Sequence, residues 1–448
     1  MKLSLEYYAS KIGVSQELVA QAGGGVINCN VKSTIDGASS NHAGSLIDAW
    51  DRSFIHGSAA KAIINQNRSV RIVDLFCGCG GFTEGVKQGL QSSGFGSEVI
   101  AGLDIDEDAL KLYSANHNPN LAISQDVNSV VNYQLRRKAQ DDFEVVNVRY
   151  ATRKLEVVEC LASGCDVLLA GPPCQGHSNL NNHSRRDDPR NSLYLSVAAF
   201  ASLLRPSIVV IENVSTVVHD KSDVVYKTVS SLENLGYSTE LITINGVKIG
   251  MPQTRKRHFL FACKNPIFTA SELLSAFEEY YPVPRPVSWC LELAPRIYDR
   301  ENTFYAPSYL SDDNHARVKW LLENDEYDLP NHLRPVCHQK VHNYKSVYGR
   351  MHWDRPSGTI TTGFHSPGRG RYVHPIEARV ITSCEAALIQ GFPRSYRFYT
   401  DNFMPSRHTH AKVIGDAVSP VMSRFFGVGI SLNLIGQRMK GQEFAVAA

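Results

Sequence analysis

The sequence predicts an α/β protein built on a doubly wound sheet, with a smaller, irregular second domain. Two observations predict it. From Val70 to Cys263, short apolar runs alternate with helical segments, the pattern of βαβ units. After Lys264 that regularity stops, and residues 265 to about 375 carry many prolines and aromatics without a sustained helical period.

Composition bounds what this architecture can serve. The 448 residues are 43% hydrophobic and 20% charged, so the length allows about three domains, or two larger ones, with an ample core. Formal net charge is only +2, so any surface for a polyanion must be local. Ten cysteines occur without repeated CxxC or Cys/His ligand spacing, which argues against a structural metal site and a disulfide framework. Met1 to Ala20 lacks a signal-peptide core, and no run of about 20 apolar residues is found, so no membrane span is expected. A reducing, cytoplasmic setting fits.

Residues 1–67 precede the first clear strand as an amino-terminal extension. In Leu5 to Gly24, the spacing of Ala9, Gly13, Val14 and Val19 fits a helix-turn-helix. The plainer reading is two short amphipathic helices covering an edge of the main domain. Residues 68–264 hold the strands Val70–Phe76, Glu98–Leu103, Asp166–Ala170, Ser207–Ile211, Ser238–Ile244 and His258–Cys263. Helices are expected at Phe82–Gln91, Glu107–His117, Asn191–Leu204 and Val224–Gly236. A polar segment between Asp126 and Gly164 has no assignment. In the region 265–375, Glu301 to Pro330 is acidic, whereas Asn331 to Pro375 holds two lysines, five arginines and six histidines against Asp354 alone. Tyr344, Tyr348, Trp353, Phe364 and Tyr372 are interleaved there, which reads as a nucleic-acid surface. Residues 376–448 return to a helical pattern after Gly415.

Two loops carry the chemistry. Asp74 to Phe82 (DLFCGCGGF) joins a strand to a helix, with Gly78, Gly80 and Gly81 free to let backbone approach a ligand. The dinucleotide fingerprint fails at Thr83, and no Walker lysine is present. Asp104 ends the second strand and suits a ribose hydroxyl pair, and Asp126 after the third could meet an adenine amino group. A nucleoside bound without pyrophosphate suggests S-adenosylmethionine. The second loop is GPPCQGHS, Gly171 to Ser178, where Pro172 and Pro173 end a strand just before Cys174. A cysteine at the carboxyl end of such a strand is either a nucleophile or a small buried hydrophobe.

From residue 71 to 435 the chain resembles the cytosine-5 DNA methyltransferases. The motifs that carry the likeness, in order, are DLFCGCGG (74–81), LDIDEDAL (103–110), GPPCQGHS, IEN (211–213) with Val214, MPQTRKR (251–257), RVITSCEAALIQGFP (379–393) and IGDAVSP (414–420). The resemblance implies a Rossmann-like methyltransferase sheet with a target-recognition domain at 265–375. It implies that Cys174 adds as thiolate to carbon 6 of a flipped cytosine while Glu212 supports ring nitrogen 3. Arg255 and Arg257 are then expected to hold the base carbonyl and the catalytic loop. Phe76, Gly78, Gly80, Gly81, Asp104, Ile105, Asp126, Pro172 and Asp416 would contact S-adenosylmethionine. Gln175 and Ser178 would meet DNA, as would Arg185, Arg186 and Arg190 on a flap reaching from Ser178 to Asn191. No metal is implied. The implied partners are double-stranded DNA, on which the enzyme acts as a monomer, and a cognate restriction endonuclease if the role is restriction–modification and not epigenetic marking.

The chain departs from the family pattern at His177, where an aromatic is common, and at Asp416, where Asn is usual. Segment 127–165 is longer than the pattern needs, and residues 1–67 fall outside it. Two alternatives stay open: a cytosine-5 methyltransferase acting on RNA, and a DNA-binding regulator that uses the amino-terminal extension.

Overall fold

The computed structural model describes residues 2–9, 13–21, 29–36, 46–57, 69–173, 193–220, 222–295, 299, 301–339 and 346–446. They fall into two compact units. The first joins Met1–Ile244, Lys256–Tyr280 and Met422–Ala448; the second joins Asn245–Arg255 and Tyr281–Val421.

The described residues of the stretch Leu5 to Gly24 are strands and not helices. Strands β1 (Lys2–Ala9), β2 (Gly13–Gln21) and β3 (Cys29–Asp36) form an antiparallel sheet, so both the helix-turn-helix and the two-helix reading are corrected. The sequence contains the reason. Leu3, Leu5 and Tyr7, then Val14, Leu18 and Ala20, recur with a period of two that competes with the helical spacing. Helix α1 (Leu46–His56) follows, burying Trp50, Phe54 and Ile55.

The main sheet begins with β4 (Ser69–Leu75) and α2 (Gly81–Ser92), then β5 (Gly96–Asp104) and α3 (Glu107–His117). Next come β6 (Leu121–Ser124) and the short α4 (Val127–Val130). The unassigned segment is a hairpin, β7 (Val131–Ala139) and β8 (Asp142–Tyr150), followed by α5 (Leu155–Ala162). Its tip is held by ion pairs from Arg136 to Glu144 and from Lys138 to Asp142. The sheet resumes with β9 (Val167–Ala170), α6 (Leu193–Leu204), β10 (Ile208–Asn213), α7 (Val224–Asn234) and β11 (Ser238–Asn245). It closes with β12 (Lys256–Cys263) and α8 (Ala270–Glu278).

Strand order is β11-β12-β10-β9-β4-β5-β6. The run from β10 to β6 is parallel, and β12 is antiparallel to β10. Every residue of β9 is buried, as a central parallel strand covered on both faces must be. Val73, Leu75, Leu168, Ala170, Val209 and Ile211 share one face and pack with α6 residues such as Phe200 into a single core. On the other side α2 meets the carboxy-terminal helix so closely that a Cβ at Gly89 would stand 2.7 Å from Gly427 Cα. The chain leaves β4 toward β5 and β6, then returns on its other side as β9 and β10. The crevice at the carboxyl ends of β4 and β9 is therefore the switch point where such sheets bind ligands.

The second unit contains α9 (Ser288–Leu291), α10 (Asp312–Glu323), α11 (Ser383–Gln390) and α12 (Arg407–Asp416). Helix α13 (Pro420–Val446) starts in this unit and continues into the first. Here the reading of a basic, aromatic nucleic-acid surface needs correction. Tyr348 and Phe364 are buried, as is Tyr372, and Tyr348 packs with Val318, Leu321 and Val347 into a small core. Arg350 and Arg371 pair with Asp325 and Asp328 at 2.9 and 2.5 Å, so two arginines of the basic segment are matched by acids of the acidic one. Tyr344 lies outside the described residues. Residues 376–421 and the stretch Asn245–Arg255 cluster with this unit, whereas Lys256–Tyr280 cluster with the first.

The stretch Arg407–Gly436, which takes in α12 and the start of α13, passes the length and composition test for a membrane span, but 94% of its most apolar window is buried, as in the core of a folded protein.

Candidate active site

The loop after β4 takes its shape from left-handed backbone. Phe76, Gly78 and Gly80 have φ of 56°, 54° and 96°. Gly80 caps α2, and Gly81 is the first, buried residue of that helix. A side chain at Gly78 would meet no atom within 4 Å, so this glycine leaves an open hollow over the loop.

Asp104 holds the loop to the next strand. Its Oδ2 accepts from Gly78 N at 2.8 Å and its Oδ1 from Asp106 N at 2.9 Å. Each carboxylate oxygen keeps lone-pair capacity for a further donor such as a ribose hydroxyl. Ile105 is 72% exposed although large and apolar, as a residue that covers a ring would be. Asp126 is exposed and caps α4 through Asn128 N at 2.8 Å. Open glycine, carboxylate, exposed isoleucine and second acid together fit a nucleoside without phosphate.

Beneath the loop lies a buried polar chain that sequence reasoning missed. Thr83 Oγ1 donates to Asp74 Oδ2 at 2.7 Å and lies 3.0 Å from Tyr113 Oη. Burial pushes the Asp74 carboxyl up to about 7, reinforced by the Asp104 charge and opposed by the Thr83 bond.

The strand β9 leads out through Gly171, whose N–H bonds Leu75 O at 3.1 Å. Pro172 is buried, and its carbonyl accepts from Asn213 Nδ2 at 3.2 Å. Asn213 Oδ1 in turn accepts from Val214 N at 2.8 Å. Asn213 therefore fixes the direction in which the chain leaves β9. The signal for it was a polar residue closing an otherwise apolar strand next to Glu212. Cys174, Gln175, Ser178, Arg185, Arg186 and Arg190 lie outside the described residues, as does His177.

Glu212 is buried at the carboxyl end of β10, and Arg257 Nε lies 2.9 Å from its Oε1. Tyr194, at the start of α6, is also buried, and its hydroxyl is pushed upward by burial and then by the Glu212 carboxylate.

The structure separates the two arginines that the sequence had grouped. Arg257 belongs to the first unit, Arg255 to the second. Arg255 is 1% exposed and donates to Ile360 O at 3.1 Å and Ala417 O at 3.0 Å. Its neighbour Gln253 accepts from Ile360 N and donates to Gln390 Oε1, both at 3.1 Å. A guanidinium bonded to backbone carbonyls inside a core serves as scaffold, a use that differs from the base contact expected of Arg255. Asp416 is exposed at the end of α12, in the second unit.

Comparison with known proteins decides the family. The sequence profile of the C-5 cytosine-specific DNA methylases matches residues 70–430. The chain belongs to the C-5 cytosine-specific DNA methylase family. As a member it is a DNA (cytosine-5-)-methyltransferase, an enzyme that methylates cytosine in DNA. It is 36% identical over 421 residues to the type II methyltransferase M1.BsuMI of Bacillus subtilis strain 168, covering 93% of this chain and 92% of that one. It is 30% identical over 372 residues to the type II methylase M.HgiDII of Herpetosiphon aurantiacus, covering 82% and 96%. Among solved structures, a prophage-encoded DNA modification methyltransferase (E. coli) aligns with a TM-score of 0.54 at 21% identity, covering 82% of this methylase and 99% of that chain. S. pombe Dnmt2 aligns equally well at 16% identity, covering 82% and 98%. These last two likenesses speak for the α/β methyltransferase fold.

Proposed function

We propose that this methylase modifies carbon 5 of a flipped cytosine in duplex DNA through a covalent adduct with Cys174, using S-adenosylmethionine. The observation that carries the reading is the buried Glu212–Arg257 pair beside the strand that leads to Cys174. A carboxyl group held there by a cation, at the carboxyl edge of the sheet, is placed to meet the ring nitrogen of a base.

Residues Phe76, Gly78, Gly80 and Gly81 would form the cofactor's floor, with Asp104 at the ribose, Ile105 over the adenine and Asp126 at its amino group. Pro172 would close the side next to the nucleophile. When bound, the cofactor supplies an electrophilic methyl group.

The protein's part begins with the Cys174 thiolate, which adds to carbon 6 and raises electron density at carbon 5. Charge that builds on ring nitrogen 3 meets Glu212, whose carboxyl takes up a proton from solvent as the base binds and donates it, or a hydrogen bond through it, to that nitrogen. Arg257 keeps Glu212 oriented toward the base. Once carbon 5 is methylated, a base removes its proton and the Cys174 sulfur leaves. Asn213 positions the loop through Pro172, and Arg255 acts at a distance by shaping the second unit. Gln175, Ser178, Arg185, Arg186 and Arg190 are assigned to DNA contacts during base flipping. A target still stacked in the duplex would be out of reach of a thiol on the protein.

The type II methyltransferase relatives favour a restriction–modification role; a cognate endonuclease, action as a monomer on DNA and a cytoplasmic location belong to the proposal. The test is tritiated methyl transfer to plasmid DNA by the full chain and by Cys174→Ser. Loss of incorporation in the variant, with trapping of the wild type on DNA containing 5-fluorocytosine, supports the adduct; equal incorporation overturns it.

A further inference from the structure

We propose that Tyr113 and His117, one turn apart on α3, are positioning residues for the cofactor: through Thr83 and Gly80 they set the backbone on which S-adenosylmethionine would lie. This rests on the reading that the loop after β4 takes that cofactor. Neither residue belongs to the motifs that carry the family likeness, of which LDIDEDAL ends at Leu110.

The spacing along α3 puts both side chains under the loop. Positions four apart on a helix share one face, and Tyr113 and His117 are both buried. Their ring centroids lie 4.8 Å apart. Gly102 on β5 makes the room, since a Cβ there would stand 2.4 Å from Tyr113 Cε1. The Tyr113 ring joins Val99, Leu110 and the loop's own Cys77 in a small buried cluster. Each ring carries a polar atom, and those atoms reach the loop and the helix that follows it.

The bonds have a definite direction. A backbone carbonyl only accepts, so His117 Nε2 carries the hydrogen and donates to Gly80 O at 3.0 Å. Gly80 is the left-handed cap of α2, and the same carbonyl accepts from Glu84 N at 2.9 Å. The peptide between Gly80 and Gly81 is therefore held by two donors. Burial, then the Lys87 charge, pushes the His117 ring down to about 3 against the pull of the Gly80 bond, so the ring donates as neutral imidazole. Thr83 has one hydroxyl hydrogen and gives it to Asp74 Oδ2, so the Tyr113 hydroxyl, 3.0 Å away, donates to Thr83 Oγ1. A chain of bonds thus runs from α3 through α2 to the strand that feeds the loop.

The start of the loop is held separately. Leu103 O accepts from Cys77 N at 3.1 Å, and Asp104 bonds both Gly78 N and Asp106 N. Asp106 in turn caps α3 through Asp108 N and Ala109 N at 3.1 and 3.2 Å. The loop is thus fixed at Cys77 and Gly78 from β5, and at Gly80 and Thr83 from α3. Phe76 has left-handed backbone, which a residue with a side chain keeps where its neighbours over-determine it. A binding constellation tolerates about 0.5 Å of misplacement, so freeing the Gly80 end is felt first in the cofactor's floor.

The test measures S-adenosylhomocysteine binding to the full chain by calorimetry, beside methyl-transfer kinetics on plasmid DNA and thermal melts. Tyr113→Phe deletes one hydroxyl from a packed ring, and His117→Phe removes the donor to Gly80. His117→Gln returns an amide donor near the place of Nε2. The expected result is about three- to tenfold weaker binding in each Phe variant, the range of one lost hydrogen bond, with most of the loss recovered in His117→Gln. The KM for the cofactor rises more than kcat falls, and the KM for DNA stays as in wild type. A purely structural role would lower the melting temperature without that split or that recovery, and such a pattern overturns the proposal. Tyr113→Phe is the mildest change and keeps the test valid if His117→Phe fails to fold. Wild-type affinity in the Phe variants overturns the positioning while leaving the proposed activity intact. Wild-type protein that binds no S-adenosylhomocysteine would remove the underlying reading as well.

Discussion

Glu212 and Arg257 meet across β10 and β12 with the arginine Nε 2.9 Å from the carboxylate Oε1, on side chains only 10% and 15% exposed. The strands put them on a diagonal, because Glu212 registers with Phe259, two residues along from Arg257. A pair this buried is costly to break from either side, and the two halves fail differently.

Glu212→Gln keeps the shape and removes the charge, so it should fold and lose about 10²- to 10⁴-fold in methyl transfer. Arg257→Ala strands a buried carboxylate and should cost about 3 kcal/mol as well as activity. Melting temperature and tritium incorporation separate them. Full activity in Arg257→Ala would end the assignment of Arg257 to the site.

Arg255 should behave as scaffold. Arg255→Ala leaves Ile360 O and Ala417 O without their donor, at about 1–3 kcal/mol for each buried carbonyl. Arg255→Lys has one compact donor group for two carbonyls and should fall between. Urea unfolding measures both. An Arg255→Ala protein with the wild-type midpoint and no turnover would return Arg255 to the chemistry.

Asp74 gives stability a pH dependence of definite sign. Its folded carboxyl titrates at about 7 against an ordinary 3.8, so between those values the native state binds more protons than the unfolded chain. Stability from this group is therefore full below pH 4 and declines as pH rises to 7, by about 4 kcal/mol at most. Asp74→Asn should lack the decline. The check is the difference between the two proteins' unfolding free energies from pH 5 to 8; parallel curves would refute it.

Gly89→Ala would ordinarily help a helix. Here the new methyl would stand 2.3 Å from Arg424 O and 2.7 Å from Gly427 Cα, both backbone atoms of α13. The clash should outweigh the propensity gain of about 1 kcal/mol and lower stability by a further 1–3 kcal/mol or so. A raised melting temperature would show that the helices can part freely.

The strands from Val70 to Cys263 were legible because their apolar runs are short, end in Gly, Pro or Asp, and alternate with helical spacing. The amino-terminal sheet was not, since Leu5 to Val19 satisfies both a period of two and a loose helical period, and only pairing with β3 decides. The basic segment misled for another reason. Arg350 and Arg371 find Asp325 and Asp328 far back along the chain, and composition cannot reveal such pairings. The two arginines of MPQTRKR look equivalent as letters. They differ because β12 starts at Lys256, so Arg257 stands within the strand and Arg255 before it. Hairpin β7–β8 had no signal beyond its polar exposed face, which reads as loop.

The short stretch Asn245–Arg255 is bonded into the second unit although it is threaded between strands of the first. Anyone wishing to transplant sequence preference between relatives would naturally cut near 265 and 375. Such an insert would arrive without Gln253 and Arg255, the side chains that clasp Ile360 from outside those cuts. Donor and host must therefore agree at MPQTR before the exchanged piece can keep its shape, and a chimera's success depends on eleven residues that never appear in the exchanged piece.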